Sequence, residues 1–266
     1  MSLVNKNIIL EIKNLTVGYQ QKKSIQVIQK EINLSIFTGE FVTILGKNGI
    51  GKSTLLRTLT KVQDAISGEI ILNQKRIENY SFKELATTIS LVLTERLPES
   101  QLTVFELVAL GRQPYTNWVD KLQENDIERI DWALQQTETK DLAQKHFYEL
   151  SDGQLQRVLI ARALAQDTDI IMLDEPTAHL DMHHTIKIFQ LLKKLSKETK
   201  KTIIITTHEV NLAINSANKM ILINDNEVVS GAKKDLISNN SFNSLFPKEI
   251  INFSSSLEQF IITKNQ

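Results

Sequence analysis

The sequence predicts an α/β fold with a largely parallel central sheet, antiparallel strands at its start and helices in its middle. Three observations carry this. Short apolar runs rich in β-formers recur at FVTIL (41–45), DIIMLD (169–174) and KTIIITTH (201–208). Helical patterns lie between them, the alternation expected of strands joined by crossover helices. The first run also leads directly into a glycine-rich loop and then a helix.

IILEIKNLTVGY (8–19) and SIQVIQKEINLSI (24–36) partly alternate apolar and polar residues, and they read as half-buried antiparallel strands. FVTIL is a buried strand, followed by the loop GKNGIGKST and the helical pattern TLLRTLTKV. GEIILN (68–73) reads as a strand. SFKE (81–84) and TVFE (103–106) are capping-box patterns, and the second opens a short helix expected to end at Gly111. Residues 120–165 are expected to be helical. Between the last two core strands, Met182, Ile186, Phe189, Leu192 and Leu195 recur every three or four residues, as one apolar face of a long helix. The segment after about 239 carries no legible chemistry.

Composition narrows the function classes. The 266 residues are 41% apolar and 23% charged, ordinary for a globular chain with a real core. Thirty-one basic residues balance 31 acidic ones, which argues against a nucleic-acid partner. With no cysteine, the chain has no disulfide, thiolate metal site or cysteine nucleophile. The first residues do not read as a signal peptide, and no stretch approaches the roughly 18 apolar residues of a membrane span. Any membrane role is expected to run through a partner.

The chemistry starts at Gly46-Lys47-Asn48-Gly49-Ile50-Gly51-Lys52-Ser53, which fits G-x-x-x-x-G-K-[ST] in full, with a strand before it and a helix after it. Three of only nine glycines fall within these six residues, 46 to 51. Glycines let the backbone turn its N–H groups onto a polyphosphate, and the helix start adds its positive end. Lys52 is expected to neutralise the β- and γ-phosphates, and Ser53 to ligate Mg²⁺. IIMLDEP places Asp174 and Glu175 at a strand end, where ligands of such sheets gather. Asp174 is read as a second Mg²⁺ ligand and Glu175 as general base for a water. His208, ending another core strand, is read as a γ-phosphate contact. His146, His179, His183 and His184 are read as surface or interface residues. LSDGQ (150–154) opens a strong helical pattern, and by itself suits an ordinary N-cap.

Taken in order, the phosphate loop, LSDGQ, the Asp-Glu strand end, AHLD (178–181) and TTH (206–208) resemble the ATP-binding-cassette (ABC) ATPases over residues 8–235. The resemblance implies a P-loop NTPase (RecA-like) core, one cassette over 8–240 with a helical subdomain at about 95–165, and a tail from 241. It implies that ATP and Mg²⁺ bind through Gly46, Asn48, Gly49, Gly51, Lys52, Ser53 and Thr54, with Tyr19 stacked on adenine. It implies that two copies face head to tail, so that Ser151, Gly153 and Gln154 of each meet the nucleotide of the other and Asp181 links the two sites. Asp152 replaces the commoner glycine, and its carboxylate is expected to turn away onto the first N–H groups of its own helix. Thr94 stands where the family carries a glutamine, and Thr94 or Glu95 is left as a further oxygen ligand. VFELVALGRQPYTNW (104–118) and TAHLDMHH further resemble ATPase subunits of bacterial importers for iron–siderophore complexes, haem and vitamin B12. Such a subunit works at the cytoplasmic face of the membrane with polytopic permease subunits and, indirectly, a substrate-binding protein. A soluble ABC ATPase of repair, translation or cofactor assembly is the alternative. A GTPase is disfavoured, because ANKMI (217–221) puts Ile221 where a guanine-reading Asp is needed.

Overall fold

The computed structural model describes residues 7–21, 24–94, 98, 100–116, 121–225, 227–247 and 249–263. The chain forms two compact units: residues up to 80 together with those from 202 onward, and residues 81–201 between them in sequence.

In the first unit, β1 (Ile8–Gln21) pairs antiparallel with β2 (Ser24–Phe37) on one side and with β4 (Ser67–Leu72) on the other. A two-residue strand, β5 (Lys75–Arg76), extends this sheet beyond β4. The C-terminal half of β2 alternates buried and exposed positions, as a sheet with one solvated face requires. The second sheet of this unit is built on β3 (Phe41–Leu45), buried at every residue. Parallel neighbours flank it: β8 (Thr202–Thr207), also fully buried, and β9 (Lys219–Ile223). Continuous apolar runs are what strands covered on both faces look like. β10 (Val228–Gly231) closes the edge antiparallel to β9. The helices of this unit are α1 (Lys52–Leu59), α7 (Val210–Ser216) and α8 (Lys233–Ser238).

The second unit pairs β6 (Ile89–Val92) in parallel with β7 (Ile170–Leu173), Val92 opposite Leu173. Its helices are α2 (Phe82–Ala86), α3 (Val104–Ala109), α4 (Glu124–Gln136), α5 (Asp152–Ala165) and α6 (Met182–Thr199). Ser81 and Thr103 form the capping boxes expected of them, each accepting from the backbone N–H three residues on. A buried ion pair ties three helix ends together. Arg112 Nε lies 2.9 Å from Asp126 Oδ1, and Arg112 Nη1 donates to the Ala165 carbonyl. Asp126 Oδ2 meanwhile accepts from the Gln123 N–H that opens α4.

Three expectations need correction. Residues 120–165 are not one helical stretch: α4 ends at Gln136, and short 3₁₀ turns lead to α5. Gly111 is not a left-handed helix stop but sits inside a 3₁₀ turn. It is small because a Cβ there would lie 2.3 Å from the Arg162 carbonyl. On α6 the buried face is Ile188, Phe189, Leu192 and Leu195, while Met182 is 79% exposed and Ile186 half-buried. Spacing alone cannot say that the first turn of a helix projects past its support. The described residues after 239 form a 3₁₀ turn (Ser241–Ser244) and a hairpin of β11 (Ile251–Ser254) and β12 (Gln259–Ile262). Phe242, Phe253 and Phe260 pack ring on ring within it.

Candidate functional site

The first unit presents the phosphate loop at the carboxyl end of β3. Leu45 pairs with Thr207, so Gly46 and His208 leave the parallel sheet side by side in register. Gly49 (φ 77°) and Gly51 (φ 109°) hold the left-handed conformations that side chains resist. A Cβ on Gly51 would also stand 2.5 Å from Ile28 Cγ2, whereas one on Gly49 would meet nothing within 4 Å. Gly49 is therefore needed for its dihedral alone and faces open space. Lys52 is buried beneath the loop, its ammonium donating to the carbonyls of Gly46 (3.0 Å) and Lys47 (3.1 Å). Thr54 is buried one turn into α1, and its hydroxyl is 3.2 Å from that of Tyr19. The Tyr19 side chain is otherwise exposed, leaving a ring face available to a flat ligand.

A cavity of about 270 Å³ opens beside the loop, lined by Gly46, Lys47, Asn48, Thr207, His208 and Phe246. His208 Nε2 lies 3.4 Å from Glu209 Oε1.

Two residues here escaped the sequence analysis. Gln29, 6% exposed, donates its amide N–H groups to the Ile50 and Asn224 carbonyls and so braces the loop from below. Its one signal is a glutamine at a position where β2 faces inward. Phe246 had no signal, because its place depends on how the C-terminal segment folds back. Reciprocal bonds between Asn211 on α7 and the backbone of Phe260 fasten that segment to the helix that follows His208.

The second unit holds the acids. Asp174 follows β7, buried, its backbone N–H bonded to the Val92 carbonyl. Glu175 takes φ 44°, an uncommon conformation for a carboxylate residue and one that turns the chain sharply at the strand end. Thr94 Oγ1 donates to the Asp174 carbonyl at 2.8 Å, so this hydroxyl braces the backbone under the acid. Glu95 lies outside the described residues. Thr94, Asp152, Gln156, Asp174, Glu175 and His179 line one cleft of this unit.

LSDGQ is indeed a helix start. Ser151 caps α5, accepting from the Gln154 N–H, while Gln154 Oε1 accepts from the Ser151 N–H. The expected contact of Asp152 with the first N–H groups is not made. Ser151 serves the Gln154 N–H instead, and among the described residues the exposed Asp152 carboxylate takes no hydrogen bond. Asp181 caps α6 and accepts twice from His184, through the backbone N–H and the imidazole. Those two bonds hold the Asp181 carboxyl below the usual aspartate range. Each unit thus assembles its own part of the expected set: 46–54, Tyr19 and His208 in one, and Asp174, Glu175, 151–154 and Asp181 in the other.

Comparison with known proteins agrees with this geometry. Residues 29–178 match the ABC transporter family. The chain is 38% identical over 220 residues to the iron(3+)-hydroxamate import ATP-binding protein FhuC of Bacillus subtilis, spanning 83% of this chain and 80% of that one. A solved ABC transporter described as of metal-chelate type, in an inward-facing conformation, superposes with TM-score 0.78 at 28% identity, over 96% of both chains. The dimeric bacterial cassette MJ0796 superposes with TM-score 0.72 at 33% identity, over 84% of this chain and 98% of that one. A phosphate loop built on left-handed glycines, a buried lysine beneath it, an Asp-Glu strand end and a capped signature helix thus accompany a match over most of the sequence, and the chain belongs to the ABC transporter family as an ATP-binding, ATP-hydrolysing cassette.

Proposed function

We propose that this chain powers import of an iron–siderophore, haem or cobalamin-type compound through separate membrane subunits, working as a head-to-tail pair of cassettes with ATP between them. The carrying observation is the pairing of a complete phosphate cradle with a second helix start, Ser151–Gln154, elsewhere in the same chain. One polyphosphate does not need two such starts from one subunit, but a closed two-fold pair uses one from each. The similarity to an iron(3+)-hydroxamate import protein supports the cargo class. Among the described residues no helix is long and apolar enough to cross a membrane. The chain is accordingly proposed to sit at the cytoplasmic face, bound to polytopic subunits that a substrate-binding protein serves from the other side.

In this reading the N–H groups of Gly46–Thr54, with Asn48 and Gly49 in the loop, wrap the phosphates. Lys52 exchanges its loop carbonyls for phosphate oxygens, and Tyr19 stacks on the base. Glu175 orients and deprotonates the attacking water, and His208 holds the γ-phosphate. Ser151, Gly153 and Gln154 close on the partner's nucleotide, and Asp181 reports across the pair. Ser53 and Asp174 offer hydroxyl and carboxylate oxygens, the hard donors that Mg²⁺ prefers, and they would hold it. Mg²⁺ would neutralise charge building on the phosphates.

Glu175→Gln tests the reading. It should keep ATP binding, lower turnover by about 10²–10⁴-fold and accumulate an ATP-bound dimer. Near-normal turnover would remove Glu175 as the base. Affinity purification from membranes tests the importer role. Recovery of ribosomes or soluble assembly factors, with no polytopic protein, would overturn it.

A further inference from the structure

We propose that His184 is a positioning residue that locks the signature turn at Gly153 to Asp181, so that these two parts of one subunit reach the partner as a single rigid piece. The inference rests on the paired-cassette reading.

The geometry is unusually restrictive. Gly153 is buried in the first turn of α5. A Cβ on it would stand 2.5 Å from His184 Cδ2, 3.0 Å from Cγ and 3.2 Å from Nε2, so the imidazole lies directly against the glycine. The ring is partly exposed but tethered. Its Nδ1 is 2.9 Å from Asp181 Oδ2, while the His184 backbone N–H donates to Asp181 Oδ1 at 2.8 Å. Both carboxylate oxygens are engaged by one residue, which fixes the carboxylate plane and puts a proton on Nδ1. The His183 ring packs edge-on at 5.6 Å.

Two consequences follow. Displacing the signature turn pushes on the ring, and the ring pulls on Asp181. Glycine at 153 also has a reason to exist that is separate from any approach of phosphate: no side chain fits beside the pinned ring. His184 thus acts through its neighbours and touches no reacting atom.

The test uses the full chain in the Glu175→Gln background, with MgATP-driven dimerisation followed by light scattering. His184→Ala should raise the ATP concentration for half-dimerisation about five- to tenfold, the size of one ordinary net intramolecular hydrogen bond, as suits a pair that is partly exposed. Binding of a fluorescent ATP analogue to the monomer should be unchanged, because the phosphate cradle is untouched. His184→Asn, whose amide N–H can replace Nδ1–H, should recover to within about twofold. Gly153→Ala should be at least as damaging as His184→Ala, since its methyl forces the ring off Asp181. The decisive variant is Gly153→Ala with His184→Ala, whose penalty should fall well short of the product of the two single penalties, because the obstructing ring is gone and only the methyl's approach to the partner's nucleotide remains. Penalties that multiply would show that Gly153 acts independently of His184, and a His184→Ala chain that dimerises like its parent, or a His184→Asn chain no better than it, would equally overturn the coupling. If the parent itself fails to dimerise, the paired-cassette reading falls and takes this inference with it. A dimerising parent indifferent to His184 removes only the inference.

Discussion

Replacing Arg112 by Met keeps the length and apolar stem of the side chain but removes the charge from a buried ion pair. Arg112 Nε and Asp126 Oδ1 are 2.9 Å apart, with side chains 4% and 7% exposed. At an effective dielectric constant of about 20, opposite unit charges at that distance attract by about 6 kcal/mol. The gain is largely offset by the cost of desolvating both ions, so the pair itself adds little to stability. Breaking it is another matter. Asp126 would remain buried without its counter-charge, and the Ala165 carbonyl would lose the guanidinium donor. The expected cost of Arg112→Met is about 3–5 kcal/mol. Adding Asp126→Asn removes the stranded charge while keeping an acceptor for the Gln123 N–H at the start of α4. The double variant should therefore recover about 2 kcal/mol or more relative to the sum of the single changes. Urea unfolding followed by tryptophan fluorescence measures this, and Trp132 on α4 places a reporter in the affected unit. A single-variant cost below about 1 kcal/mol, or strictly additive costs in the double variant, would refute an energetically coupled buried pair.

Three further outcomes are expected. Tyr19→Ala should weaken ATP binding by about 1–3 kcal/mol through lost base stacking, whereas Tyr19→Phe, which loses only the hydroxyl contact with Thr54, should stay within about threefold of the parent in equilibrium titrations. The Glu106 carboxyl is held below the usual glutamate range by hydrogen bonds from the Thr103 N–H and hydroxyl. Its contribution to stability should be complete above about pH 4.3 and fade as pH falls through the lower folded value. Glu106→Gln should therefore flatten the acid limb of a urea-midpoint against pH profile, and an unchanged limb would contradict the bonds. Asp152→Gly removes a favourable first-turn charge worth about 0.3–1 kcal/mol and adds about 1 kcal/mol of glycine cost in a helix. Because Asp152 is exposed at the helix start, ATP half-saturation should change less than tenfold; a tenfold or greater gain in affinity or turnover would show that the carboxylate opposes the phosphates.

The amino-acid sequence by itself determined what depends on neighbours a few residues away. The loop from Gly46 to Ser53, the caps at Ser81, Thr103 and Ser151, and the apolar strands ending at Leu45, Leu173 and Thr207 each follow from local sterics, hydrogen bonding and periodicity. The placement of Lys52, Asp174 and Glu175 was legible for the same reason, since those residues stand at fixed offsets from their strands. Tertiary structure decided what joins distant segments. Gln29 reaches the loop from β2, Phe246 returns to it from the C-terminal segment, Gly111 yields to the Arg162 carbonyl, and His184 comes to rest against Gly153. A periodic pattern says which face of a helix is apolar but not how far its support extends, so Met182 keeps the spacing of that face while lying exposed. His184, read only as a surface or interface residue, likewise gave no sign of the glycine it pins, because about thirty residues separate them and only packing sets their distance.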